Sequence, residues 1–257
     1  LMTFAGRRVA LGAVFAFLFL GNAHMPSYSW ATYSAWLFNA SFAQGFFYLS
    51  LIALRKVLRD RSQTASLVFG VCLGSTFLCH VAPAILLGCI FVLGVLRETR
   101  IAYQAEQKHE VWRSCRSMGM ALIVAFLVGM PLIASILGRY TLNVQNTAPS
   151  AWVFEPLLLD SLPAFLFGEL TILNAIILVG LYWVIRKRDL PEGARFILLT
   201  WGCCAFLLLL YGYVRQLTSK MGLFSFNLVP EVHFLFYLRA LGSVFAGFAL
   251  VFMAESL

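Results

Sequence analysis

The chain has 257 residues, of which 61% are hydrophobic, 15% aromatic and only 12% charged, and its formal net charge is +8. A water-soluble fold of this length needs far more polar surface, so the composition excludes one and points to an integral membrane protein. The bases lie between long apolar runs, where anionic headgroups are their nearest partner, and no nucleic acid is expected.

Of the 19 Lys and Arg residues, 15 fall in four clusters: Arg7/Arg8; Arg55, Lys56, Arg59 and Arg61; Arg97, Arg100, Lys108, Arg113 and Arg116; and Arg186, Lys187, Arg188 and Arg195. Short basic loops stay on the cytoplasmic side during insertion, so this arrangement predicts a multi-pass protein with both termini cytoplasmic. The outer segments are then 24–29, a turn near residue 80, 139–164 and 215–231. The chain opens on Leu1, and the apolar run after Arg7 and Arg8 ends at His24-Met25-Pro26 rather than at a small-residue cleavage site. It is therefore read as one transmembrane domain, 1–257, that forms a segment of a longer protein.

About 20 apolar residues cross the hydrocarbon core. The first such run is Val9 to Ala23. The second, Trp30 to Leu54, is polar in its first half, with Tyr33, Ser34, Asn39, Ser41 and Gln44 set to face other helices or a cavity. Ala65 to Leu96 is a run of 32 residues without a charge, which as one helix would reach about 48 Å, too long for a single crossing. Both of its ends are basic. A hairpin broken near Cys79-His80-Val81-Ala82-Pro83 keeps both ends inside, and Pro83 supplies a physical reason for the break. Ala105 to Arg116 reads as a short amphipathic helix anchored by Trp112. Met118 to Leu137, kinked at Pro131, Phe165 to Ile185, Phe196 to Val214 and Val232 to Met253 complete the spans. The expected fold is an all-α polytopic membrane protein with about seven to eight membrane-embedded helices, including the broken hairpin at 65–96. Six cysteines occur, at 72, 79, 89, 115, 203 and 204, without a Cys-x-x-Cys pair. Neither a disulfide nor a metal site is predicted from them.

An ionisable side chain held at membrane depth is costly, which makes each one a functional candidate. His80 stands at the hairpin break, suited either to meet a phosphate or carry a proton, or to cap a broken helix. Glu231, His233, Tyr237 and Arg239 open the last span after Pro230. His233 and Tyr237 share a face at i, i+4 spacing, and the Arg239 guanidinium suits bidentate phosphate recognition or an ion pair with a nearby glutamate. Glu155, Asp160 and Glu169 surround the long outer loop. They are the candidate catalytic bases and the residues suited to a divalent cation, with helix capping the alternative for Asp160 before Leu162-Pro163.

The run Trp36-Leu37-Phe38-Asn39-Ala40-Ser41-Phe42-Ala43-Gln44-Gly45-Phe46, the run Gly70-Val71-Cys72-Leu73-Gly74-Ser75-Thr76-Phe77-Leu78-Cys79-His80 and the run His233-Phe234-Leu235-Phe236-Tyr237-Leu238-Arg239 together resemble the multi-span sugar transferases of the GT-C superfamily and their membrane relatives. The resemblance covers about half the chain in scattered pieces. It implies a polyprenyl-phosphate sugar donor reached from the lipid, an acceptor on the non-cytoplasmic face, and His80 and Arg239 as phosphate contacts. Members of that group carry an essential acidic residue in their first outer loop, whereas His24 to Ser29 holds none. Such a residue would lie upstream of Leu1, or the chain is a non-catalytic structural subunit associated with partner membrane subunits. A transporter is a third reading, for which only the break within 65–96 speaks.

Overall fold

The structure, a computed structural model, describes residues 6–17, 39–139, 172–186, 190–221 and 232–256. Within them the chain forms helices and no strands: α1 (Arg7–Phe15), α2 (Asn39–Asp60), α3 (Gln63–Cys79), α4 (Val81–Gln104), α5 (Lys108–Arg139), α6 (Ile172–Arg186), α7 (Glu192–Lys220) and α8 (Val232–Ser256). Four of these, α4, α5, α7 and α8, are long and apolar enough to cross a membrane, fewer than the seven to eight expected. α3 has 17 residues, short of a full span, and residues 18–23, 30–38 and 165–171 of the other expected spans lie outside the described residues.

The described chain divides into two compact units. One contains α2 to α5 with residues 192–204 of α7; the other contains α1, α6, α8 and the rest of α7. In the first, α3 and α4 form the expected hairpin. Phe69 and Phe91, each 11 residues from His80, bring their ring centroids to 4.7 Å, and at the open end Arg61 lies 3.5 Å from Glu98. A continuous helix would separate those last two residues by about 55 Å. The second arm runs on to Gln104, so Arg97 and Arg100 are helical.

α3 lies along α5 with almost no space between the backbones. A Cβ on Gly70 would come 2.6 Å from the Ala121 carbonyl oxygen, and one on Gly74 would come 2.7 Å from that of Ala125. This is how small residues hold helices together where lipid removes the hydrophobic drive between them. α2 closes the bundle, with Leu58 seated on Gly94 of α4 and Phe47 edge-on to Trp201 of α7 at 5.2 Å.

The expected short helix at 105–116 is instead the first part of α5, which is continuous for 32 residues and carries through Pro131. Glu106, at φ 58, makes the turn before it. Its N–H bonds the Tyr103 carbonyl at 3.0 Å and that of Gln107 bonds Ala102 at 2.9 Å, the two bonds of a Schellman C-cap. With α4 closed there, nothing between Ser114 and Met118 breaks the helix that follows.

In the other unit α8 is the shared partner of α1 and α6. α1 runs antiparallel to it: Arg8 lies 3.7 Å from Glu255, and a Cβ on Gly247 would come 2.6 Å from the Val9 carbonyl oxygen. α6 runs parallel, with Gly180 against the Phe245 backbone and Trp183 at 5.6 Å from the Phe248 ring.

Gly70→Ala and Gly74→Ala should each destabilise the protein by about 1–3 kcal/mol through overpacking. Gly88→Ala, where a Cβ meets nothing within 4 Å, should be neutral or stabilising by up to about 1 kcal/mol. Thermal unfolding of the three variants in detergent micelles checks the contrast.

Candidate functional site

His80 is the only residue between α3 and α4, and it finishes one helix while starting the next. Its backbone is extended (φ −162, ψ 127), its N–H still reaches the Thr76 carbonyl at 2.8 Å, and its Nδ1 accepts the Ala82 N–H at 3.2 Å. That last bond satisfies one of the N–H groups that a helix start leaves without an intrahelical partner. Pro83 falls in the same first turn, where its missing donor costs nothing. Beneath the break Thr76, fully buried, donates its hydroxyl to the Cys72 carbonyl at 2.7 Å.

The capping bond fixes the chemistry of the ring. Nδ1 can accept only while it carries no proton, so the neutral imidazole holds its proton on Nε2 and presents that nitrogen as a donor. A donor of this kind suits a phosphate or carbonyl oxygen.

The remaining sequence-derived candidates are on α8 or outside the described residues. His233 and Arg239, on α8, are half-buried, and Tyr237 is buried, edge-on to Phe236 at 5.3 Å. The Arg239 carbonyl accepts the Ser243 hydroxyl at 3.1 Å. These three belong to the unit of α1, α6 and α8, whereas His80 belongs to the other. Glu155, Asp160, Glu169 and Glu231 lie outside the described residues.

Sequence reasoning treated the basic clusters as markers of sidedness and missed a constellation that the structure assembles from them. Arg61 sits in the two-residue turn between α2 and α3 in the left-handed region, φ 46, where a residue other than glycine is strained. Its N–H bonds the Val57 carbonyl at 2.9 Å, its own carbonyl accepts the Ser117 hydroxyl of α5 at 3.4 Å, and its guanidinium pairs with Glu98 of α4 and Glu110 of α5. Next to it Arg97 pairs with Glu98 and with Glu192 at the start of α7, and lies 5.1 Å over the Phe196 ring. One ionic layer therefore collects the ends of α2 to α5 and the start of α7.

The layer is partly shielded: the Arg61 side chain is 17% exposed and that of Glu98 16%. Its edge is wetter. Arg59 pairs with Asp60 at 2.6 Å and holds that carboxyl below its ordinary range, with Lys56 adding to the effect; Arg113 donates to the Asp60 carbonyl at 3.2 Å.

No family model, curated protein or solved structure matches the chain. The signal that would have located the layer is the presence of Glu98 and Glu110 inside basic clusters, since acids have no role in retaining a loop on the cytoplasmic side.

Removing Arg61 leaves Glu98 to Arg97 and Glu110 to Arg113 at 3.8 Å, and takes the shared cation from between two helices. Arg61→Ala should cost about 2 kcal/mol, between the near-zero value of an exposed pair and the 3–5 kcal/mol of a buried one. Arg61→Gly loses the same pairs but relieves the left-handed strain, so it should be more stable than Arg61→Ala by about 1 kcal/mol. Melting temperatures of the two variants, measured side by side, give the difference.

Proposed function

We propose that this chain is a multi-pass integral membrane protein whose broken hairpin contributes to a GT-C-like site, one that takes a sugar from a polyprenyl-phosphate donor on the non-cytoplasmic face. The membrane assignment is supported by four helices of spanning length and composition and by their exposed surfaces. α5 turns Leu122, Ile123, Phe126, Leu127 and Met130 outward, a contiguous apolar strip that water would not tolerate and lipid would. Sidedness is taken from the basic clusters of the sequence, with both termini cytoplasmic.

The single observation that carries the site is the half-buried imidazole at the break of the 63–104 hairpin, at the end opposite the ionic layer. The fold supplies a helix start there with a donor nitrogen beside it, and helix N-termini favour anions such as a lipid phosphate. Glu155, Asp160 and Glu169 are the proposed source of the general base that would deprotonate an acceptor hydroxyl.

A second reading, a non-catalytic structural subunit of a larger membrane complex, is favoured by the capping bond itself, because it gives His80 a purely architectural task.

Two substitutions separate these readings. His80→Asn keeps a side-chain acceptor of the kind most favoured at a helix start, and His80→Ala removes it, at a cost of about 1 kcal/mol. If His80 contacts the donor, both variants should lose binding of a short-chain polyprenyl-phosphate sugar by at least about tenfold, the loss of one hydrogen bond to a charged group. If its role is capping alone, Asn should behave as wild type in both binding and stability, and only Ala should melt earlier.

A further inference from the structure

The acids and bases of the charged layer are unevenly matched. Arg61 and Arg97 are engaged by Glu98, Glu110 and Glu192. At the neighbouring corner, where the end of α2 meets the start of α5, a single carboxylate serves several cations. Arg59 grips both Asp60 oxygens, and Arg113 is spent on the Asp60 carbonyl and stands 3.8 Å from Glu110. Lys56 lies one turn before Asp60 on α2, and Arg116 one turn after Arg113 on α5; both are exposed and no acid pairs with them among the described residues. The Arg59 and Arg113 side chains are 70% and 48% exposed.

The corner also has a depth marker. Trp112 is 71% exposed and shares a face of α5 with Arg116 at i, i+4 spacing. An exposed indole next to cations, at the start of a helix of spanning length, belongs at the headgroup level of a bilayer.

We infer that the corner formed by Lys56, Arg59, Arg113 and Arg116 beside Trp112 is a binding surface for the phosphodiester of an anionic phospholipid in the adjacent leaflet. The ligand is a lipid rather than free phosphate because the indole places the cations where headgroups lie and offers the acyl–glycerol region an amphipathic ring. A phosphodiester supplies the negative charge that Asp60 alone does not, and the Lys56 ammonium on α2 and the Arg116 guanidinium on α5 can hold its oxygens together. The surface is distinct from the proposed donor site, being at the opposite end of the hairpin, and rests only on the membrane part of the functional reading.

The test uses the full chain in phosphatidylcholine nanodiscs containing a minor fraction of phosphatidylglycerol, with retained lipids read by native mass spectrometry. Wild type should retain phosphatidylglycerol in preference to phosphatidylcholine. Arg116→Gln should lower that preference roughly fivefold, and the Lys56→Gln/Arg113→Gln/Arg116→Gln variant by roughly fivefold for each base removed. Arg100→Gln, which alters charge at the same end but on α4 and outside the corner, should leave it unchanged. An equal loss in that control would reduce the effect to general attraction of the leaflet and overturn the surface. So would unchanged retention in Arg116→Gln, or displacement of phosphatidylglycerol by inorganic phosphate at equal concentration. Should the triple variant fail to fold, as its melting curve would show, Arg116→Gln decides alone. A wild-type chain that does not co-elute with the discs sinks the membrane reading itself, whereas co-elution without lipid preference sinks only the surface.

Discussion

Arg61 is the constraint on which the charged end of its unit depends. Only two residues join α2 to α3, so the chain must reverse abruptly, and the left-handed conformation at Arg61 (φ 46) makes that possible. Glycine would fit the backbone without strain. Arginine accepts a cost of about 1–2 kcal/mol but reaches two further helices through its guanidinium, and a hydrogen bond to a charged group contributes about 1.5–3 kcal/mol. The balance favours arginine only because both carboxylates are present. Glu98 and Glu110 lie on either side of the α4–α5 turn, so the same side chain ties the last part of α4 to the start of α5. The strained turn and the ion pairs are thus one device.

Away from that end the helices are held differently. Glycine and alanine let backbones come close at α3 with α5 and at α8 with both α1 and α6, where a methyl group would already meet a carbonyl oxygen. Inside lipid this contact is the available source of helix association, since apolar side chains gain little by leaving one hydrocarbon for another. Ion pairs at the wet end and close backbone contacts in the apolar middle therefore divide the work: the first fixes which helix ends meet, and the second fixes how near the helices lie.

The hairpin was legible in the sequence because length is a hard limit. A charge-free run of 32 residues, where about 20 suffice, has to turn, and Pro83 marks where. The continuity of α5 was not legible in the same way. The stretch 105–116 has its own amphipathic pattern, which reads as a separate helix, yet Ser114-Cys115-Arg116-Ser117 holds neither glycine nor proline to end it. The charge-free run also does not show how unevenly it divides, with 17 residues in α3 and 24 in α4. The pairing of Arg61 with Glu98 and Glu110 joins residues 37 and 49 positions apart and leaves no periodic trace, because it exists only once the hairpin and the α4–α5 turn have formed. Of the proposed site, His80 could be named from its place at the break, while its capping bond could not, since that depends on which ring nitrogen faces the Ala82 N–H.

That nitrogen limits what His80 can contribute to any reaction. A proton carrier must pass through the imidazolium, which has no lone pair at Nδ1, or through the tautomer with hydrogen on Nδ1; both break the bond to Ala82 and leave the first turn of α4 short of an acceptor. Proton transfer at this residue would therefore cost the cap, about 1 kcal/mol. Donation from Nε2 has no such cost, because it uses the tautomer that the cap already selects. Between the two roles open to a histidine at this break, the capping bond is compatible with donation from Nε2 and opposes acid–base traffic.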